Sequence, residues 1–255
     1  MNSLVITVAG IGGRFNLDLP SPCLKAIYYR DDYTKSLLYQ ILLKSDSFGK
    51  IIIVGGYRYD DLLVFVNSLP IKLKSRILCI YNEHYNDYGS CYSLYLGLSA
   101  LKTTALDNIV FIEGDLYVDS ESWNSIIESP HDVITINKLP IVANKSVALY
   151  IDLSKHLHYI YNINHSSLEI KEPFISILNS AQVWKFQDVI WLFEVISSLN
   201  NEELSGTNLE IIEKYFSKFT IDDICIIPIL DWINCNTVND YEQMLEYLDN
   251  EGYEI

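Results

Sequence analysis

The sequence has few cysteines, few basic residues and no long apolar run, and each shortage excludes a class of protein. Its five cysteines are odd in number, widely spaced and without a C-x-x-C pair, so neither a disulfide framework nor a zinc site is indicated. Eighteen Lys and Arg stand against 33 Asp and Glu, and the resulting net charge of −15 repels phosphate backbones and anionic lipid. We therefore expect no nucleic-acid partner and no membrane insertion, while the oligomeric state stays open.

The apolar segments are too short to span a bilayer, which requires roughly 20 consecutive apolar residues. Residues 4–8 form a short apolar run that passes directly into glycines, with no basic start and no cleavage pattern of an export signal. We expect a cytoplasmic protein. A chain of 255 residues that is 49% hydrophobic and 20% charged fits one globular domain.

Runs of β-branched residues alternate with stretches of helical periodicity, which predicts an α/β fold with a largely parallel, doubly wound sheet. In the first half the predicted strands are residues 4–8, 51–54, 76–81 and 108–112, and the predicted helices are residues 34–43, 60–69 and 92–101. In the less regular second half we predict strands at residues 133–136 and 147–151 and helices at residues 123–128, 189–199, 209–219 and 240–249. Ligands of such sheets bind at the carboxyl ends of the strands. The loops after Val8, Val54, Tyr81 and Ile112 are therefore the candidate binding loops.

The first of these loops is rich in glycine. It reads A-G-I-G-G-R at residues 9–14, directly after a buried strand, and its amide groups suit a polyphosphate, to which Arg14 would add a forked cation. The loop matches neither the dinucleotide fingerprint nor the P-loop motif, and a purely structural turn is an equal alternative.

Six motifs in order resemble those of nucleotidyltransferases with the sugar-nucleotide pyrophosphorylase fold. They are A-G-I-G-G-R-F at residues 9–15 followed by L-P-S-P-C-L at 19–24, I-I-I-V-G-G-Y at 51–57, Y-N at 81–82 with S-C-Y-S-L-Y at 90–95, I-E-G-D at 112–115, A-Q-V-W-K-F at 181–186, and W-I-N-C-N-T-V-N-D at 232–240. The segment at 90–95 is most similar to that of the phosphocholine-type cytidylyltransferases. The resemblance covers nearly the whole chain.

The resemblance implies a Rossmann-like three-layer sandwich around a mostly parallel mixed sheet. It implies a single nucleotidyltransferase domain over residues 1–255, with a nucleotide-binding half at 1–130 and an acceptor-binding half at 131–255. The implied activity is Mg²⁺-dependent transfer of a nucleotide, with CTP favoured, to a small phosphorylated or phosphonate acceptor such as a phosphocholine-like compound. The implied pathway is surface polysaccharide biosynthesis.

The site residues follow from this resemblance together with the chemistry of each side chain. Catalysis is expected from Arg14, Lys25 and Asp115, and Mg²⁺ binding from Asp115 and Asn236. The expected nucleotide-binding residues are Ala9, Gly10, Gly12, Gly13, Gly55, Tyr57, Asn82, Ser90 and Ser93. The expected acceptor-binding residues are Glu113, Trp184, Lys185 and Glu210. For Glu113, sharing the metal ion with Asp115 and a purely local structural role stay open as alternatives. The aromatic rings of Trp191, Tyr215 and Trp232 are further candidates for contact with a cationic amine.

Three positions depart from the family motifs. Gly13 replaces Ser or Thr, Ser21 replaces a phosphate-binding Lys, and Asn236 replaces an Asp. We expect Lys25 to supply the missing cation. Asp231 is an alternative carboxylate to Asn236.

These departures keep three other functions open. They are a sugar-1-phosphate nucleotidyltransferase, a degenerate family member that binds nucleotide without catalysis, and a glycosyltransferase of the similar nucleotide-sugar fold. The glycosyltransferase would require a D-x-D motif after a central strand, and the sequence has G-D-L-Y-V-D at residues 114–119 instead.

Overall fold

The computed structural model describes residues 1–102, 106–143, 145–160 and 168–250, and residue 250 without its side chain. The strands of these residues are β1 (Ser3–Val8), β2 (Lys50–Gly55), β3 (Ile77–Tyr81), β4 (Ile109–Glu113), β5 (Leu116–Val118), β6 (Val133–Asn137), β7 (Ala148–Asp152), β8 (Leu157–Ile160), β9 (Phe174–Phe186), β10 (Cys225–Pro228) and β11 (Trp232–Asn234). The helices are α1 (Gly13–Leu17), α2 (Leu37–Leu43), α3 (Tyr59–Ser68), α4 (Ile71–Lys74), α5 (Ser90–Ser99), α6 (Ser120–Glu128), α7 (Val189–Ser197), α8 (Asn201–Ser205), α9 (Leu209–Phe216) and α10 (Val238–Asn250), with short 3₁₀ turns at Lys25–Ile27 and Tyr33–Lys35.

The main sheet has the strand order β10-β6-β9-β4-β1-β2-β3, and the β7–β8 hairpin extends it by pairing with β9. Strands β4, β1, β2 and β3 are mutually parallel, whereas β9 runs antiparallel to β4 and β6. The chain adds β2 on one side of β1 and β4 on the other. This reversal creates the crevice at the carboxyl ends of β1 and β4 in which sheets of this type bind ligands.

Helices cover both faces of the sheet, so its central strands are apolar on both sides. Leu4 and Ile6 of β1 pack with α2, α3 and α6, whereas Val5 packs with α5, α7 and α9. The result is a three-layer α/β sandwich with a mixed sheet, and the predicted fold class is confirmed.

A second, two-stranded sheet joins the end of the chain to the middle. Strand β11 pairs antiparallel with β5, so that Asn234 faces Leu116, and the backbone N–H of Cys235 donates to the Asp115 carbonyl at 2.9 Å. Helix α10 then packs through Tyr241 and Met244 against Phe15. This pairing brings residues 234–236 beside the end of β4.

The predicted elements of the first half are found within a few residues of their expected bounds. Residues 34–43 differ, because a 3₁₀ turn at Tyr33–Lys35 precedes α2. In the second half, β9 is a single strand of 13 residues whose register shifts opposite β6 between Ile134 and Ile136. Helix α9 ends at Phe216, before the predicted limit of residue 219. Within the described ranges, the helices are too short or too polar to cross a membrane.

Candidate active site

The glycine-rich loop connects β1 to α1 and is held by its neighbours. Gly12 has a φ of 63°, in the left-handed region that favours glycine, and it directly precedes α1. The N–H of Tyr57 donates to the Ala9 carbonyl at 3.0 Å, and Asn16 Nδ2 donates to the Ile11 carbonyl at 2.8 Å. These bonds fix the loop at the carboxyl end of β1.

A cavity of about 310 Å³ opens beneath this loop. It is lined by Thr7, Val8, Ala9, Gly10, Gly12, Leu24, Lys25, Ala26, Asn82, Tyr85, Tyr88, Gly89, Ser90, Ser93, Glu113, Gly114 and Asp115. Six of the expected nucleotide-binding residues are in this lining. Gly13, Gly55 and Tyr57 are not in the lining. Gly55 and Tyr57 instead support the loops of the cavity: the Gly55 carbonyl accepts from the N–H of Asn82 at 2.8 Å, and the N–H of Tyr57 donates to Ala9 as described above.

Polar side chains in this cavity hold one another in place. Asn82 is 1% exposed, its Nδ2 donates to Ser93 Oγ at 2.9 Å, and its Oδ1 accepts from the N–H of His84. Ser90 Oγ accepts from the N–H of Asn208 at 2.9 Å. Both serine oxygens thus serve as acceptors, and no bond donated by either hydroxyl is found among the described residues. Two hydroxyl donors are therefore available to a ligand.

A second, larger cavity of about 920 Å³ lies on the other side of β4. It is lined by Arg14, Glu113, Asp115, Leu139, Pro140, Val142, Lys145, Ser146, Val147, Asn179, Gln182, Trp232, Ile233, Asn234, Asn236, Thr237, Asp240 and Gln243. Five of these side chains are amides. Gln182 has a φ of 60° at the irregularity in β9, a conformation that is strained for a residue with a side chain.

The two cavities meet at Glu113 and Asp115, which line both of them. Asp115 Oδ2 accepts a hydrogen bond from Lys25 Nζ at 2.8 Å, and this ion pair is largely shielded from solvent. Arg14 reaches the same centre from α1, where its Nη2 donates to Asn236 Oδ1 at 2.9 Å. The structure therefore brings together the three expected catalytic residues and the expected second metal ligand.

The two carboxylates influence each other. Burial and the nearby charge of Asp115 raise the pKa of Glu113 to about 7, and this rise is opposed by the hydrogen bond from Asn208 Nδ2 to Glu113 Oε1 and by the charge of Lys25. Asn208 is the residue before α9, and its main-chain N–H binds Ser90 as described above. Asn208 therefore contacts Ser90, which lines the first cavity, and Glu113, which lines both cavities.

The residues at this junction fit a Mg²⁺ ion. Asp115 Oδ1 is buried and has no hydrogen-bond partner among the described residues, so it is a desolvated acceptor of a residue that lines both cavities. Mg²⁺ prefers oxygen ligands and is usually bound by one or two carboxylates together with substrate phosphates. Within the described ranges no group of three or more His, Cys, Asp or Glu side chains is arranged to hold a metal ion by itself.

The prediction that Lys185 binds the acceptor is wrong. The side chain is 2% exposed, and its Nζ donates to the carbonyls of Ile127 and Ser129, both at 2.6 Å, at the end of α6. Burial lowers its pKa. The reason is topological, because Lys185 lies in the part of β9 that pairs with both β4 and β6, where its ammonium group packs against the end of α6 and not in a cavity.

Trp184 is also misplaced by the sequence prediction. Its ring is fully buried and stacks on Phe111, and its Nε1 donates to the hydroxyl of Tyr159 at 2.7 Å. Glu210 lies on α9 beside Gly206 and lines neither cavity. The structure thus corrects both of these acceptor assignments.

Of the additional candidates Trp191, Tyr215, Trp232 and Asp231, only Trp232 lines one of the two cavities. Trp191 donates from its Nε1 to the Tyr215 carbonyl, and both residues lie away from the cavities. Asp231 donates its N–H to Asp119 and lines neither cavity, so it does not replace Asn236. Trp232 is the member of this group that lines the second cavity.

Several residues at the site carry no recognisable sequence signal. Tyr85 and Tyr88 line the first cavity, which we name the nucleotide cavity after the expected nucleotide-binding residues in it. Lys145 and Gln182 line the second cavity, which we name the acceptor cavity after the role expected for it. Tyr85, Tyr88 and Lys145 lie outside the matched motifs. Gln182 lies inside the motif at residues 181–186, but only Trp184 and Lys185 of that motif were expected at the site. Only their position in the folded chain identifies them.

A family model described as Domain of unknown function (DUF6564) matches residues 21–248. No curated protein matches the chain by sequence at a significant level.

Solved structures match nearly the whole chain. The inositol-1-phosphate CTP transferase from T. maritima is 14% identical with a TM-score of 0.66, and the match covers 96% of each chain. The CTP:phosphocholine cytidylyltransferase from Streptococcus pneumoniae is 17% identical with a TM-score of 0.62, covering 97% of this chain and 99% of that one. A UDP-glucose pyrophosphorylase complexed with UDP-glucose is 13% identical with a TM-score of 0.68, covering 98% and 99%. The nucleotidyltransferase fold expected from the six motifs is confirmed.

Proposed function

The chain belongs to the DUF6564 domain family, and we propose that it is a nucleotidyltransferase that joins a nucleoside triphosphate to a small phosphorylated acceptor with release of pyrophosphate. The observation that carries this proposal is the meeting of two cavities at Glu113 and Asp115. A reaction between two bound phosphates requires two adjoining sites and positive charge where they meet. Lys25 and Arg14 supply that charge.

In this reaction an acceptor phosphate oxygen attacks the α-phosphorus of the triphosphate. The bond between the α-phosphorus and the oxygen that bridges to the β-phosphate breaks, and pyrophosphate leaves. The protein contributes alignment and neutralisation of charge. The amides of the glycine loop bind the triphosphate, Lys25 faces the α-phosphate from the side of Asp115, and Arg14 contacts the phosphates from α1.

Mg²⁺ is proposed as the cofactor. When bound, it offsets negative charge on the phosphate oxygens. Asp115 is the ligand best supported by geometry, because its Oδ1 is otherwise without a partner among the described residues.

CTP is the favoured nucleotide. The Ser90 and Ser93 hydroxyls and the second N–H of the Asn82 amide are donors available in the nucleotide cavity. A set of donors suits the adjacent O2 and N3 acceptors of cytosine better than uracil, whose N3 is a donor. Two of the similar structures carry CTP in their names, which agrees with this preference.

The acceptor is a phosphorylated compound, and two classes differ in the side chains they need. A phosphocholine-like acceptor would use aromatic rings around its cation, but Trp232 is the one large aromatic ring in the described lining of the acceptor cavity. Amides such as Asn179, Gln182 and Gln243 pair well with hydroxyl groups, and this favours a sugar phosphate or polyol phosphate as a second candidate. Lys145 is the cation proposed to contact its phosphate.

The first experiment is thermal stabilisation of the purified chain by CTP, UTP, GTP and ATP, each with and without Mg²⁺. Selective stabilisation by CTP with Mg²⁺ supports the proposal. Pyrophosphate release is then measured with phosphocholine, glucose 1-phosphate and glycerol 3-phosphate as acceptors. Nucleotide binding without turnover on a broad acceptor set would favour a degenerate, nucleotide-binding role, and transfer of sugar from a nucleotide-sugar would favour a glycosyltransferase.

A further inference from the structure

Asn236 stands where the related motif has an aspartate, and its amide is already engaged. Its Oδ1 accepts from Arg14 Nη2 at 2.9 Å, and its Nδ2 donates to Asn234 Oδ1 at 2.9 Å. Its backbone N–H donates to Asp240. A neutral oxygen that is already bound to a guanidinium group is a poor ligand for a divalent cation.

Glu113 and Asp115 show the opposite arrangement. One oxygen of each carboxylate is anchored, Glu113 Oε1 by Asn208 Nδ2 and Asp115 Oδ2 by Lys25 Nζ. The other oxygen of each is uncommitted. Asp115 Oδ1 is buried without a partner, and no hydrogen bond to Glu113 Oε2 is found in the described part of the chain.

The two residues also share a place in the fold. They stand two residues apart at the carboxyl end of β4, and they are the carboxylates common to both cavities. A divalent cation bound by both carboxylates would offset the repulsion between their charges. Asn208 and Lys25 hold the anchored oxygens, so the free oxygens are oriented before the cation arrives.

We infer that Glu113 takes the place of the missing aspartate as the second carboxylate ligand of the divalent cation, while Asn236 orients Arg14 instead. This inference rests on the proposed function for the presence of a cation at Asp115. It assigns Glu113 a role different from the acceptor contact expected from the sequence. It also assigns Asn208 as a positioning residue that acts through Glu113.

The test is Mn²⁺ binding to the full chain without nucleotide, measured by the loss of the free Mn²⁺ signal in electron paramagnetic resonance up to millimolar concentrations. Glu113→Gln keeps the size of the side chain and an oxygen for Asn208, and we expect its Mn²⁺ Kd to rise at least about tenfold. Asn236→Ala is the matched control, and we expect its Kd to stay within about twofold. Thermal unfolding without metal verifies that both variants are folded.

Asn236→Asp gives an independent result. We expect the new carboxylate to pair with Arg14 and to leave the Mn²⁺ Kd nearly unchanged. Tightening by about tenfold would overturn the inference, because it would show that position 236 reaches the cation and is not committed to Arg14. Failure of the unsubstituted chain to bind Mn²⁺ would overturn it too.

The inference and the proposed function fail separately. Mn²⁺ binding that depends on Glu113, without pyrophosphate release on any acceptor, supports the cation site and counts against catalysis. Turnover with a Glu113→Gln variant that keeps its Mn²⁺ affinity supports the nucleotidyltransferase and overturns the role of Glu113.

Discussion

Replacing Lys185 with methionine separates a structural role from a role in acceptor binding. The ammonium group donates to two carbonyls at the end of α6, those of Ile127 and Ser129. Methionine has a similar length and no donor, so Lys185→Met leaves both carbonyls unpaired in a buried site. We expect the free energy of unfolding to fall while the KM for the acceptor stays unchanged.

The magnitude follows from these two bonds. A hydrogen bond to a charged group contributes about 1.5–3 kcal/mol, and a cation at a helix C-terminus adds up to about 1 kcal/mol. The burial that lowers the pKa of Lys185 offsets part of this gain. The net loss should be about 3 kcal/mol, which corresponds to a fall in Tm of roughly 10 °C for a domain of this size.

Denaturant unfolding and steady-state kinetics measure the two effects, and Lys145→Met is the matched control. Lys145 is an exposed residue of the acceptor cavity, so its replacement should raise the acceptor KM with little effect on unfolding. The reasoning is refuted if Lys185→Met keeps its full stability and loses acceptor binding.

Three further substitutions test the site. Asp115→Asn should reduce turnover by about a hundredfold or more and change Tm by only a few degrees, because the amide oxygen of asparagine can still accept the hydrogen bond from Lys25. Kinetics and thermal unfolding measure the two effects, and retained turnover would exclude Asp115 from the reaction. Ser93→Ala should reduce the preference for CTP over UTP by about tenfold, because it removes a hydroxyl donor. The preference is measured as the ratio of the kcat/KM values for the two nucleotides. An unchanged ratio would show that Ser93 does not select the base. Gln182→Gly relieves the left-handed backbone conformation at this position, so the free energy of unfolding should stay within about 1 kcal/mol of that of the unsubstituted chain. The acceptor KM should rise, because the amide is lost. A marked loss of stability with an unchanged KM would assign Gln182 to the fold alone.

Local patterns were sufficient for the parallel half of the fold. The short runs of β-branched residues in the first half form the strands predicted for them, and the glycine loop after β1 is constrained by the φ of Gly12. The same patterns located Asn82, which directly follows β3, and Asp115, which lies two residues after the end of β4. Carboxyl ends of parallel strands share one edge, so the sequence order already brings these residues together.

The acceptor side depended on pairings between distant segments. The neighbouring strands β4 and β6 decide whether a side chain of β9 enters a cavity or the core. Trp184 and Lys185 are buried between these strands. Gln182, at the irregularity in the pairing of β9 with β6, lines the second cavity. Asn208 reaches Glu113 from a part of the chain 95 residues away.

Residue types and short spacings therefore determined the α/β class, the glycine-rich loop and the central carboxylate of this protein. Only the tertiary structure decided which cations line the second cavity and what holds Glu113 in place. The physical reason is that local propensity acts over a few neighbouring residues, whereas burial and side-chain partners depend on segments that are far apart in the sequence and meet only when the sheet has assembled.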